Sequence, residues 1–187
     1  MWNIPRVSLI ALAAAFLLTG CVPTDPIVTP NPEPSSTPIF ATEEEALAAA
    51  TAAYAAYVKV SDRILMDGGA DPDRIMQVAG PVVAKEEKDG YGKFVERHYR
   101  SIGATTFDSM KLQSFSPYSA GGKGVVSVYL CVDASKVDVL DENNVSVVSP
   151  DRPDRTGFEV GFDATSSRPF TLVVASKEVW TGSEFCT

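Results

Sequence analysis

The chain has 187 residues, of which 45% are hydrophobic and 21% charged, and its formal charge is -8. That is an ordinary globular composition, enough for one domain plus a tether. So acidic a chain gains nothing from releasing phosphate counterions, which excludes nucleic acid as the expected partner.

Residues 1–20 read as a signal peptide. Arg6 supplies the one cation, and Val7 to Leu18 is a run of twelve residues without charge. A span of the roughly 30 Å hydrocarbon core needs around twenty apolar residues, so this run is too short to cross a bilayer. It closes on Leu18-Thr19-Gly20-Cys21. The small residues let an extended backbone enter a narrow protease site, and only cysteine offers a sulfur that can become a thioether. This stretch resembles the lipobox of bacterial lipoproteins, in which signal peptidase cuts before the cysteine. The resemblance implies a membrane lipoprotein with acyl chains of the palmitate kind on Cys21, anchored in the lipid bilayer on the extracytoplasmic face. Arg6 is the only charged residue ahead of Cys21, so the mature chain would carry 15 cations against 24 anions. Repulsion from anionic lipid then holds the domain off the surface while the acyl chains anchor it.

Cys21 being used for lipidation, Cys131 and Cys186 remain, an even number in an oxidising compartment. A disulfide between them would close a loop of 56 residues, counting both ends. The chain-entropy model gives that loop roughly 4 kcal/mol. Two unrelated buried thiols are the alternative.

Residues 21–41 form the lipidated cysteine and its tether. Pro23, Pro26, Pro30, Pro32, Pro34 and Pro38 remove backbone donors and push their neighbours to extended conformations. At about 3.1 Å per residue the stretch could hold the domain up to roughly 50 Å from the lipid. A docking site for a proline-recognising partner is the competing use.

The domain, 42–187, opens on Thr42-x-x-Glu45, a capping-box pattern in which Glu43, Glu44 and Glu45 stand at the positive end of a helix. Leu47, Ala50, Tyr54, Tyr57, Ser61 and Ile64 recur at three- and four-residue steps, so a helix is expected over 43–66, ended by Gly68-Gly69. Asp71 as N-cap and Pro72 at the first position start a short helix with Ile75, Met76 and Val78 inward. A third helix is expected from Pro81 to Ile102, with Val82, Val83, Tyr91, Phe94, Val95 and His98 inward, a weak point at Gly90 and Gly92, and Gly103 as left-handed cap.

From Ala104 the period becomes two. Phe107, Ser109, Lys111, Gln113 and Phe115 share one parity of a long strand, Met110 and Leu112 the other. Val125 to Asp133 is rich in β-branched residues, with Val126, Val128, Leu130 and Val132 on one face. Lys136 to Leu140 and Val145 to Val148 are short strand candidates. Thr156 to Ala164 and Pro169 to Val179 read as a hairpin across Ser166-Ser167.

Helices first and antiparallel strands after is the α+β pattern. The order resembles the nuclear-transport-factor-2-like fold, including its SnoaL-like members, in which a bent sheet wraps helices into a cone. A cystatin-like arrangement is the alternative. Val128 to Ser135, Asp151-Arg152-Pro153 and Trp180 to Cys186 are similar to stretches of small lipoproteins of high-GC Gram-positive bacteria, which implies an architecture and a location but no activity.

Chemistry is sparse in the sequence. His98, the one histidine, sits among Phe94, Val95 and Ile102 as a core or rim residue, and no Cys-x-x-Cys or His-Glu-x-x-His pattern suggests a metal. Gly121 to Gly124 has strands on both sides and reads as a turn, not a phosphate loop. No cofactor is expected. Tyr54, Tyr57, Asp133 and Asp163 are the possible cavity residues, by resemblance to cone-shaped enzymes that move protons with a tyrosine and carboxyls. Against that, the tyrosines fall on a core stripe, and aspartates near strand ends usually bond turn backbone. The expectation is a non-enzymatic module at the cell envelope that binds an unidentified protein or small ligand. A small enzyme or a structural spacer is the alternative.

Overall fold

The computed structural model describes residues 37–166, 169–182 and 185–186. Cys21, the signal segment, most of the tether and Ser167 lie outside the described residues. The chain divides into two units after Ser35, and the described residues all belong to the second.

Helix α1 spans Glu43–Met66. Thr42 Oγ1 accepts from Glu45 N at 3.2 Å, while Glu45 Oε2 accepts from Ala41 N at 2.9 Å. Ala46, Ala50, Tyr54, Tyr57 and Ile64 form its buried face. Packing begins earlier than Thr42: Ile39 and Phe40 lie against the core, and Ile39 N donates to Pro117 O at 2.9 Å.

A 3₁₀ turn, Pro72–Gln77, comes next in the chain. Asp71 precedes it in left-handed conformation, φ 50°, without a side-chain cap, so proline and not the aspartate starts this turn. Helix α2 runs Pro81–Arg97, unbroken at Gly90 and Gly92, and stops five residues before the expected Ile102. His98 takes the left-handed position, and Tyr99 N reaches back to Phe94 O at 2.9 Å. The Phe94 and Tyr99 rings meet edge-on at 6.1 Å, the apolar contact that accompanies such a closure. Val83 and Tyr91 are buried as expected, but Val82 and Val95 are exposed and His98 faces solvent. Gly103 also has positive φ, in a turn between strands: a Cβ there would stand 1.8 Å from Lys136 O.

The strands are β1 (Arg100–Ile102), β2 (Thr106–Phe115), β3 (Val126–Asp133), β4 (Asp138–Leu140), β5 (Arg155–Ala164) and β6 (Leu172–Val179). They form an antiparallel four-stranded sheet, β2-β3-β5-β6, and a two-stranded one, β1-β4. The expected strand at Val145 to Val148 is reduced to one bridge, Leu140 to Ser146.

Two irregular strands place the side chains. In β2 the register slips between Asp108 and Lys111 and again between Leu112 and Ser114, with Ser109 at φ 56°. Each slip reverses the parity, so Phe107, Met110, Leu112 and Phe115 all pack on the core instead of splitting between faces. In β6, Gly161 pairs with Ser176 and Phe162 with Val174, leaving Ala175 as the extra residue. Leu172 and Val174 point inward before it, and Lys177 points inward after it.

The fold is therefore α+β, with helices packed on one face of a kinked antiparallel sheet. The buried core is drawn from Ala46 to Val174, so the unit from Ser36 onward carries a complete core of its own. Among the described residues, no helix is long and apolar enough to cross a membrane.

Candidate functional site

Side chains converge at one place between α1 and the sheet. A cavity of about 130 Å³ is lined by Tyr54, Tyr57, Ser61, Asp62 and Leu65 of α1, Thr105 before β2, Val132 of β3, Phe158 of β5 and Lys177 of β6. The kink at Ala175 is what turns Lys177 into it, a common use of such irregularities beside functional sites.

Lys177 Nζ donates to Tyr57 Oη at 2.8 Å and to Glu87 Oε1 at 2.9 Å, and Tyr57 Oη donates to the same Glu87 oxygen. The ammonium also lies 5.2 Å from the centre of the Tyr57 ring and 5.7 Å from that of Phe158. Lysine and glutamate retain 28% and 20% side-chain exposure, so the cluster is shielded but not sealed. Nearby, Tyr91 Oη donates to Ser61 Oγ at 2.9 Å. Asp62 accepts from Thr105 N at 2.8 Å and from Thr105 Oγ1 at 2.7 Å. Burial pushes the hydroxyls of Tyr54, Tyr57 and Tyr91 well above the usual tyrosine range, and the Glu87 carboxylate adds to this in each case.

Of the four residues singled out from sequence, Tyr54 and Tyr57 line this cavity, their rings 5.6 Å apart and Tyr54 edge-on to Phe107. Asp133 and Asp163 do not. Asp133 points to the other face of the sheet, where it accepts from Ser135 N at 2.9 Å and pairs with Arg155 at 3.3 Å. Asp163 clamps the Gly121–Gly124 turn, with Lys123 Nζ at 2.6 Å and Gly124 N at 2.8 Å. Both lie on the outward parity of their strands, as the alternation of Val126, Val128, Leu130 and Val132 and of Val160, Phe162 and Ala164 requires.

Glu87 and Lys177 were missed. Glu87 carried a signal, since it falls four residues after buried Val83 and four before buried Tyr91, a charge on an inward stripe. Lys177 carried none, because the register slip that turns it inward leaves no mark on hydrophobic alternation.

A larger hollow, about 880 Å³, lies between α1, the 3₁₀ turn and the start of β2, with Ala55, Lys59, Arg63, Arg74 and Thr106 among its walls. Among its polar groups, Asp62 accepts from Thr105, and Arg63 and Arg74 pair with Asp67. The smaller cavity is where polar groups converge, and it is the candidate site. Among the described residues no cluster of His, Cys, Asp and Glu could hold a metal ion.

On the outer face a disulfide joins Cys131 of β3 to Cys186, Cα atoms 5.5 Å apart. Trp180 and Phe185 pack there on Tyr129, at 4.6 and 6.5 Å between ring centres. Gly157 makes room, since a Cβ on it would stand 3.1 Å from Trp180 O and 3.4 Å from Cys186 Sγ.

Compared with models of known protein families and with curated proteins, the chain matches none. Among solved structures it is similar to the intermembrane space region of the chloroplast protein ARC6. The TM-score is 0.50 at 13% identity, covering 73% of this chain and 97% of that one. At that identity the likeness is one of fold.

Proposed function

We propose that the chain is a lipid-anchored extracytoplasmic protein whose folded domain works by binding and not by catalysis. The address rests on Leu18 to Cys21 behind an apolar run too short to span a bilayer. The observation that carries the binding reading is the cluster of Tyr57, Glu87 and Lys177, which leaves no free base among its members. A proton-transfer site needs a base free to take a proton and an acid poised near neutrality. Here the glutamate is held by an ammonium and a phenol, and the phenol is kept protonated by burial. Of the aspartates that a tyrosine-and-aspartate mechanism could use, Asp133 and Asp163 face away from the cavity, and Asp62, which lines it, has both oxygens held by Thr105.

The test of the address is mass spectrometry on the protein from its native membrane fraction. The expected N-terminus is Cys21 carrying a diacylglycerol thioether, and Cys21→Ala should accumulate as an uncleaved precursor without lipid. A native chain beginning at Met1, or at any residue other than Cys21, removes the anchor from this reading.

A further inference from the structure

The polar groups around the cavity specify a ligand class, an inference that rests on the binding reading above. An ammonium has three hydrogens, and among the described residues Lys177 has two acceptors, Tyr57 Oη and Glu87 Oε1. One donor is left at a cavity that Lys177 itself lines. Tyr57 cannot compete for an incoming acceptor, because its own hydrogen lies on Glu87. The end of the cavity at Lys177 thus asks for an oxygen that accepts.

Charge narrows the choice. Lys177 is already matched by Glu87, and Asp62 on the lining is held by Thr105 and by no cation among the described residues. An anion would therefore meet the Asp62 carboxylate, and a cation the Lys177 ammonium, among Tyr54, Val58, Leu65, Val132 and Phe158. Size narrows it again. An apolar cavity of about 150 Å³ takes up benzene, so the volume of about 130 Å³ here suits a molecule of about six non-hydrogen atoms. We infer that the cavity binds a small neutral molecule with an apolar body and one acceptor oxygen, held by Lys177 against the Tyr57 and Phe158 rings.

Tetrahydropyran and cyclohexane serve as probes, because they share size and shape and differ in the one oxygen. They are titrated into the oxidised chain from Ser36 to Thr187, whose core is complete in itself, and followed by amide chemical shifts. Tetrahydropyran should give saturable shifts centred on Tyr57, Ser61, Val132 and Lys177. In Lys177→Met combined with Glu87→Gln, which removes the donor and its counter-charge together, tetrahydropyran should bind about tenfold more weakly. Cyclohexane should be little affected by that change. Should the double variant fail to fold, Val132→Phe decides, since it fills the cavity from the sheet side and should abolish the shifts of both probes.

The absence of saturable shifts, shifts centred elsewhere, or binding that survives Val132→Phe overturns the site. Equal loss for both probes in the double variant, or loss for neither, overturns the role of Lys177. A lipidated Cys21 found together with an empty cavity leaves the proposed address standing and defeats this inference alone.

Discussion

The neighbouring strands β5 and β6 each carry one cation that gathers anionic groups, and they send it to opposite faces of the same sheet. Arg155 points outward and holds Asp108 in a two-pronged pair at 2.8 and 2.9 Å, with Asp133 at 3.3 Å and Cys186 O at 3.2 Å. Lys177 points inward and holds Glu87 and Tyr57. The two clusters have similar parts and different surroundings. Outside, the main partner Asp108 keeps 51% side-chain exposure, so water and salt screen that pair, and the lasting hold on this face is covalent, through Cys131 and Cys186. Inside, the same pairing stands beside a small cavity, and the tyrosines around it are kept protonated first by burial and then by the Glu87 carboxylate. The lesson is that a bridged cation is a surface ornament or a site component according to its face, and in β6 a single extra residue, Ala175, decides the face.

The largest effect that can break this contrast is alkaline. Tyr54, Tyr57 and Tyr91 have hydroxyls raised by burial, and the folded chain holds their protons where the unfolded chain releases them. Their contribution is fully present below the unfolded value near pH 10 and is lost as pH climbs toward the raised folded values. Three such groups steepen the loss to roughly 4 kcal/mol per pH unit in that window. Absorbance near 295 nm should show Tyr54, Tyr57 and Tyr91 ionising only as the protein unfolds. Ionisation of Tyr54, Tyr57 and Tyr91 near pH 10 in the still-folded protein would erase the difference between the faces.

Next in size is the covalent hold on the outer face. Cys186→Ser should lower the unfolding free energy by about 3 kcal/mol in urea. It should also free Trp180 and Phe185 from Tyr129, seen as a change in tryptophan emission before any loss of helical circular dichroism. An unchanged urea midpoint, or helices that melt first, would mean that the strap does not depend on the bond.

Much of the contrast was legible in the sequence, and what was not has a definite cause. The extent of α1, the inward Tyr54 and Tyr57 and the inner face of β3 followed from periodicity, because regular elements repeat their facing. Irregular positions escaped. Two slips in β2 gathered Phe107, Met110, Leu112 and Phe115 onto one face, and the slip in β6 turned Lys177 inward, where strict alternation predicts otherwise. The expected helix to Ile102 overruns α2 because Tyr99 and Ile102 continue an apolar spacing past Arg97, whereas the closure depends on a left-handed His98, a position usually filled by glycine. Half of the candidate site was therefore visible. Glu87 was half-marked by its stripe, and Lys177 became visible only with the register in hand.

The smallest expected effect separates the two anions around Arg155. Both Asp108 and Asp133 are held below the usual carboxylate range, Asp108 chiefly by hydrogen bonds from Arg155 and Asp133 chiefly by hydrogen bonds from Ser135. A depressed carboxyl stabilises the fold above its ordinary value near 4, and that contribution is lost as pH falls through the depressed folded value. Arg155→Gln takes away the main support of Asp108 and a minor one of Asp133. The variant should therefore unfold at slightly higher pH on the acid side, while at pH 7 its melting temperature drops by no more than about 3 °C, as expected of a screened surface pair. Adding Asp108→Asn to Arg155→Gln should shift the acid midpoint little further, because Asp108 has by then lost its main support while Asp133 keeps the Ser135 backbone N–H. Raising the salt concentration should narrow the gap between wild type and Arg155→Gln without moving the alkaline tyrosine transition, since water reaches Arg155 and is kept from Tyr57. A gap that persists in high salt would show that the outer cluster is as shielded as the inner one, and the contrast between the two faces would then have to rest on the disulfide alone.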